Sequence, residues 1–264
     1  MKSDTRKFIK VILTISLVMC IVTIILLVMS GLRESNNMYI AVDPDSVEFV
    51  QFEPPAQSDP IAIVQTSLGE LRFVLYPQYS PSAVANFIEL AQSGYYDDTY
   101  VFNSESGVYC SAGSKDPYGN FSQSDPHEHI QRELHQNLWT FKGAVCMMNT
   151  SYERTFKEKL LGGGDYFNGS RFSIINTIEF TDEIKQQMNQ YSQNSKITDA
   201  FIQNGGIPNF SQQMTVIGQV YQGMDVAEKL SSLKATDNGK YKVPDEEVKI
   251  ISVTISEYSE NNEK

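Results

Sequence analysis

The stretch from Ile61 to Gly113 constrains the fold more than any other part of the chain. Alternation through Ile61, Ile63 and Gln65, then through Leu71, Phe73 and Leu75, predicts two strands. Between them Thr66-Ser67-Leu68-Gly69 predicts a tight turn, with Gly69 free to take positive φ. A helix follows near 80–93. Ser80 is its expected N-cap and Pro81 suits its first position, where a missing N–H costs nothing. Val84, Phe87, Ile88 and Ala91 form one apolar stripe at i, i+3, i+4 and i+7, and Gly94 ends it. Tyr95-Tyr96-Asp97-Asp98-Thr99 then leads into a further strand.

The N-terminus obeys a different rule. Residues 1–10 are a basic tail with Lys2, Arg6, Lys7 and Lys10 against Asp4, and Val11 to Met29 carries no charge. As a helix that run spans about 28 Å, enough for a bilayer core. The expectation is a transmembrane anchor at 11–31, entering the membrane through residues 11–29. The basic flank puts the N-terminus in the cytoplasm and residues 32–264 outside. A cleaved signal peptide is the alternative, but its apolar core is usually shorter, and only Met29-Ser30-Gly31 approximates a cleavage site. Leu17-Val18-Met19-Cys20 approximates a lipoprotein box, with Met19 too large before a lipidated Cys. Residues 32–60, with Asp43-Pro44-Asp45, Glu53-Pro54-Pro55 and Asp59-Pro60, have linker chemistry and are expected as a poorly packed extracytoplasmic stalk. Their apolar patches at 38–42 and 47–52 could add an edge strand.

The net charge of −11 at pH 7 excludes a nucleic-acid surface built from clustered Lys and Arg. No CxxC, HExxH or Gly-rich phosphate loop is present, and no cofactor is expected. His127, His129 and His135 lie close together in a polar loop; a metal site there is the alternative to simple loop composition. Cys110 and Cys146 fall on expected strands, either as buried thiols or as a disulfide if their Cα atoms come within reach. Residues 181–205 read as an inserted helical hairpin. Thr181 and Thr198 are its expected caps and Gly205-Gly206 its end, making either a lid beside a groove or a packed excursion. Residues 258–264 are a polar tail.

Five stretches together carry a resemblance. The first is the strand–strand–helix–Gly-Tyr-Tyr-Asp–strand order from Ile61. Glu133 to Asn149, Asn168-Gly169-Ser170-Arg171-Phe172, Thr215 to Leu230 and Val248 to Ile255 follow in order. In this the chain resembles the cyclophilin-type peptidyl-prolyl isomerases over 61–257. The resemblance implies a mainly β fold, a closed eight-stranded antiparallel barrel capped by two helices, the second near 224–232. It also implies a groove that takes proline-containing peptide segments, or an envelope protein, and helps proteins fold.

The frame fits the family better than the groove does. The family's catalytic Arg position, within Phe-His-Arg-Val, falls on Asn103, preceded by Phe102. The pocket Phe and Met fall on Val108 and Tyr109, and the next Gln on Ser111. The Ala-Asn pair reads Met148 and Asn149. Gln-Phe-Phe reads Arg171-Phe172-Ser173. The pocket's Trp, Leu and His read Asn209, Phe210 and Met214; the chain's one Trp is Trp139. Arg171 is therefore the candidate substitute for the missing groove Arg, if the register keeps it on that face. The bland alternative is an ion pair with Glu105 or Asp165. Two activities stay open: an anchored isomerase with a degenerate site, and a catalytically inactive binding module.

Overall fold

The computed structural model describes residues 2–121, 125, 130–150, 167–192 and 195–260, without the side chains of 2–6, 9, 11, 29–38, 150, 167, 168 and 191. Helix α1 (Lys2–Met38) belongs to one compact unit, and Ile40–Thr150 with Tyr166–Lys264 to another. Of the uncharged run at 11–29, the side chains of 12–28 are described, and nearly all are exposed. Among the described residues no helix is long and apolar enough to cross a membrane.

The second unit is a barrel. Its strands are β1 (Pro60–Thr66), β2 (Gly69–Leu75), β3 (Thr99–Glu105), β4 (Tyr109–Ser114), β5 (Ile130–Gln131), β6 (Ala144–Thr150), β7 (Phe167–Ile175), β8 (Thr215–Gln222) and β11 (Lys249–Glu257). The order β4-β3-β11-β1-β2-β8-β6-β7 is closed by β4 pairing with β7, giving eight antiparallel strands, with the short β5 added beside β7. Closure leaves the eight strands no free edge to pair with another chain. A separate hairpin, β9 (Ala235–Asp237) with β10 (Lys242–Pro244), follows the second capping helix.

The barrel core is built from Leu71, Phe73 and Leu75 of β2, as the alternation predicts, with Val101, Cys110, Ala112, Val145, Met147, Phe172 and Ile217. On β1 the inward face is Ala62 and Val64, whereas Ile61 and Ile63 belong to an outer apolar cluster. The strand is buried on both sides, so the larger residues do not mark its interior face. Helices α2 (Pro81–Gln92) and α5 (Met224–Ser231) close the core with Val84, Phe87, Val226 and Leu230.

Ser80 precedes α2 but does not cap it; its hydroxyl donates to Val216 O (2.9 Å). The carboxylate of Glu133 takes over, accepting from Ser82 N (3.1 Å) and Ala83 N (2.9 Å). A remote carboxylate serves as well as a local one because the helix N-terminus needs acceptors and favours negative charge.

The inserted hairpin is α3 (Asp182–Tyr191), capped by Thr181 as expected, and α4 (Ser195–Asn204). The latter starts at Ser195, three residues before the expected cap, and Thr198 is buried in it. Gly205 and Gly206 end it with positive φ, and a Cβ on Gly206 would lie 2.4 Å from Thr140 O.

The segment read as a stalk is fastened down from Ile40 onward. Ile40 N donates to Gln212 Oε1 (3.0 Å) and Glu48 N to Asn137 Oδ1 (3.0 Å). Gln51 is buried and bonds both Trp139 N (2.6 Å) and Trp139 O (2.9 Å), as a neighbouring strand would. Phe49 and Phe52 stack on Phe141, which stacks on Phe201 of α4, and Lys196 donates to Val47 O (2.7 Å). The insertion thus packs with this strap in a third apolar cluster. The strap adds two 3-10 turns, Pro44–Ser46 and Val50–Phe52, rather than an edge strand.

Cys110 joins the core and Cys146 the outer cluster, and both are free thiols. Their β7 partners, Ile174 and Ser173, are adjacent and face opposite sides, so the thiols point apart. Among the described residues no group of three or more His, Cys, Asp or Glu gathers for a metal. His127 and His129 lie outside the described residues; His135 stacks on Tyr79 (4.4 Å), and burial lowers its pKa.

Candidate functional site

The residues singled out from sequence come together on the outer face of β3, β4, β6 and β7 and the turn before β8. They divide into two ends. At one end β3 pairs irregularly with β4 between Val101 and Asn103. Val101 therefore joins the core, while Phe102 and Asn103 meet other groups. Asn103 is opposite Ser111, and Ser111 opposite Ser173. The two serine hydroxyls share a hydrogen bond (2.9 Å) and are fully buried.

Arg171 shares this end with Phe102, its guanidinium 5.2 Å from that ring's centre. Its register is kept, but its donors are engaged. Nη1 donates to Gly119 O (2.6 Å) and Nη2 to Asn120 O (2.7 Å), and Nη2 lies 3.4 Å from Asp125 Oδ2. Phe121 covers the guanidinium face at 3.7 Å. The side chain is 2% exposed, and among the described residues Nε has no partner. Tyr95 extends the network, donating to Asp125 Oδ1 (3.0 Å) and sharing a bond with Ser170 Oγ (2.9 Å). Burial pushes the Tyr95 phenol up to about 12, the Ser170 bond opposing and Asp125 adding to the rise.

Two elements hold this end shut. The turn at 116–121 is organised by Asp116 Oδ1, which accepts from Tyr118 N (2.9 Å) and Asn120 N (3.1 Å). Its tip, Gly119, has φ +73°; a Cβ there would lie 2.5 Å from Phe102 Cδ2 and 2.7 Å from Tyr241 Cε2. The hairpin β9–β10 supplies Tyr241, edge-on to Phe102 at 4.9 Å, and Lys242, whose N donates to Asn103 Oδ1 (2.8 Å). Lys242 Nζ also binds Glu105. The carboxylate expected as a partner of Arg171 is thus taken, and Asp125 fills that role; Asp165 lies outside the described residues. Asn103 is 2% exposed.

The other end is open. Tyr109 and Phe210 meet edge-on with centres 5.4 Å apart, and with Val108 and Met214 they are half-buried against the outer cluster. Burial, with Glu105 adding, raises the Tyr109 pKa; a hydrogen bond with Asn103 opposes it. Met148 and Asn149 follow an irregularity in the β6–β7 pairing and are half-buried. Asn149 Nδ2 donates to Gln213 O, while its Oδ1 is buried without a partner among the described residues. Asn209, at the family's Trp position, is exposed.

This end presents two half-buried aromatic rings meeting edge-on, a Met of the same apolar cluster and the Asn149 amide. The face offers no charged donor at the Asn103 position. Sequence reasoning missed Gly119, Asn120, Asp125, Tyr241 and Lys242. Only Asp116-Pro117-Tyr118-Gly119-Asn120 carried a local signal, as turn chemistry.

A sequence model of the cyclophilin-type peptidyl-prolyl cis-trans isomerases matches residues 61–255. A Staphylococcus aureus (strain COL) protein provisionally named as such an isomerase is 26% identical over 210 residues, covering 79% of this chain and 98% of that protein. A Staphylococcus saprophyticus protein of the same provisional name is 26% identical over 195 residues, covering 74% and 91%. A Streptococcus pyogenes protein provisionally named a bifunctional phosphatase and isomerase is 25% identical over 209 residues, but the chain spans 41% of its length. Among solved structures, a Cryptosporidium parvum cyclophilin-type isomerase crystallised in the presence of the dipeptide Ala-Pro superposes with TM-score 0.51 at 18% identity, covering 74% of this chain and 98% of that one.

Proposed function

Because this chain belongs to the cyclophilin-type peptidyl-prolyl cis-trans isomerase family, we propose that it binds proline-containing segments of proteins outside the cell membrane and assists their folding there. In this reading it accelerates isomerisation far less than a groove with an Arg would. The observation that carries the reading is the state of Arg171, whose hydrogen bonds go to Gly119, Asn120 and Asp125 while the apolar end stays open.

The barrier to prolyl rotation is about 18–20 kcal/mol, and an enzyme lowers it by binding the twisted amide better than either planar isomer. A cationic donor aimed at the substrate does this most strongly. Asn103 is neutral and committed to Lys242 N. For Arg171 to substitute, it would have to leave two carbonyls and break its buried ion pair with Asp125, which is costly. The edge-on pair Tyr109 and Phe210, with Val108 and Met214 half-buried in the same apolar cluster, is the surface proposed to hold a prolyl ring. That the parasite isomerase was crystallised in the presence of Ala-Pro supports the same ligand class.

The anchor is part of this proposal. It rests on the uncharged run at 11–29 in the sequence, of which the side chains of 12–28 alone are described, and on the exposed Leu13, Leu17, Met19, Ile24 and Leu27. A basic N-terminal flank favours a cytoplasmic start and an external domain. Two experiments test the reading. In a protease-coupled prolyl assay the full chain should bind the peptide saturably yet barely exceed the uncatalysed rate. On carbonate extraction it should stay with the membranes. Rapid turnover rejects the catalytic half, and release into the supernatant without proteolysis rejects the anchor.

A further inference from the structure

The inserted hairpin creates a cleft that the family frame does not account for. It lies between α3, α4 and the 3-10 turn Pro208–Phe210, and has a volume of about 220 Å³. Trp139, Met188, Ile197, Phe201 and Pro208 form its apolar walls, and Ser211 lies among its hydroxyls. None of the described side chains lining it is charged. Sites for whole small molecules run about 300–1,000 Å³, so this volume suits one large side chain.

Its position connects it to the open end of the groove. The Pro208–Phe210 turn is a shared wall: Phe210 packs on Tyr109 on the groove side, while Pro208 and the following Ser211 line the cleft. The wall is held rigid. Thr140 Oγ1 donates to Ile207 O (2.6 Å) and bonds Ser211 Oγ (2.8 Å), and Ile207 N donates to Thr140 O (2.9 Å).

We propose that this cleft is a specificity subsite. It takes an apolar side chain of Leu, Met or Phe size from the same peptide that presents its proline to Tyr109 and Phe210. The assignment rests on the prolyl-peptide reading above and adds a sequence preference to it. A charged side chain would be excluded, because the walls offer no counter-charge.

The chain has one tryptophan, Trp139, and it lines the cleft. Filling the cleft therefore has its own optical signal, separate from prolyl binding. The full chain in nanodiscs is titrated with labelled Ala-based peptides carrying one Pro, with a single Leu walked along either side. At one or two positions Leu should tighten binding about tenfold, which is about 1.4 kcal/mol, and shift the Trp139 emission. The Pro-only peptide should bind without that shift. Ile197→Gln should remove the gain and keep the Pro-only affinity; Met188→Gln on the facing wall should do the same. A gain without any Trp139 change places the side chain elsewhere and overturns the proposal. So does the lack of a gain at every position while the Pro-only peptide binds. If replacing Pro by Ala leaves affinity and Trp139 shift intact, the prolyl reading fails, and the pairing of the two sites with it.

Discussion

The two ends of the groove face use the same strands and have opposite chemistry. At the Arg171 end Arg171, Asp125, Asn103, Ser111 and Ser173 are buried, and the guanidinium is matched to carbonyls and a carboxylate far away in sequence, beneath an exposed Phe121. At the Tyr109 end Tyr109, Phe210, Val108 and Met214 are half-exposed members of an apolar cluster. In the function proposed above, the half-exposed Tyr109 end serves recognition and the buried Arg171 end stability.

Replacing Arg171 should break the contrast most severely. Arg171→Met breaks the buried ion pair with Asp125 and leaves two carbonyls without their guanidinium donor, which should cost about 3–5 kcal/mol in urea unfolding. Adding Asp125→Asn should recover part of that loss, and the double-mutant cycle measures the coupling. Next is Gly119→Ala, at φ +73° with Phe102 and Tyr241 against the new methyl. Overpacking and the left-handed backbone should together cost about 2–4 kcal/mol, read in the same assay. Phe210→Ala sharpens the comparison from the other side. The protein should lose only about 1 kcal/mol of stability, since the ring is half-exposed, while affinity for a prolyl peptide falls about tenfold in a calorimetric titration.

The smallest expected effect is on alkaline stability. The folded pKa of Tyr95, about 12, lies above its ordinary value of 10.0. Its contribution is therefore complete below pH 10 and is lost as pH rises towards 12, because the unfolded chain ionises first. Tyr95→Phe should flatten the fall in melting temperature over that window. Tyr76 and Tyr96, whose pKa values burial also raises, keep part of the slope.

The barrel was legible in sequence because its signals are local: the alternation in β2, the Pro81 start and apolar stripe of α2, and the helix-ending Gly94. The separation of the two ends was only half legible. Sequence set Asn103, Ser111 and Ser173 apart from the family's groove residues, and register put Arg171 beside Phe102. Its destination was hidden because two of its partners are backbone carbonyls about fifty residues earlier, which no side-chain pattern encodes. The strap was misread for a similar reason. Its composition is that of a linker, yet single amides at Gln51, Gln136, Asn137 and Gln212 fasten it. Glu133 capping α2 from afar belongs to the same class.

The central claim, that binding persists where catalysis has been given up, is most directly tested by two-dimensional NMR exchange on a prolyl peptide with substoichiometric full-length protein. The peptide resonances should shift and broaden on binding, with no cis–trans exchange cross-peaks beyond those of the free peptide. Strong exchange cross-peaks at the same protein concentration would contradict the account.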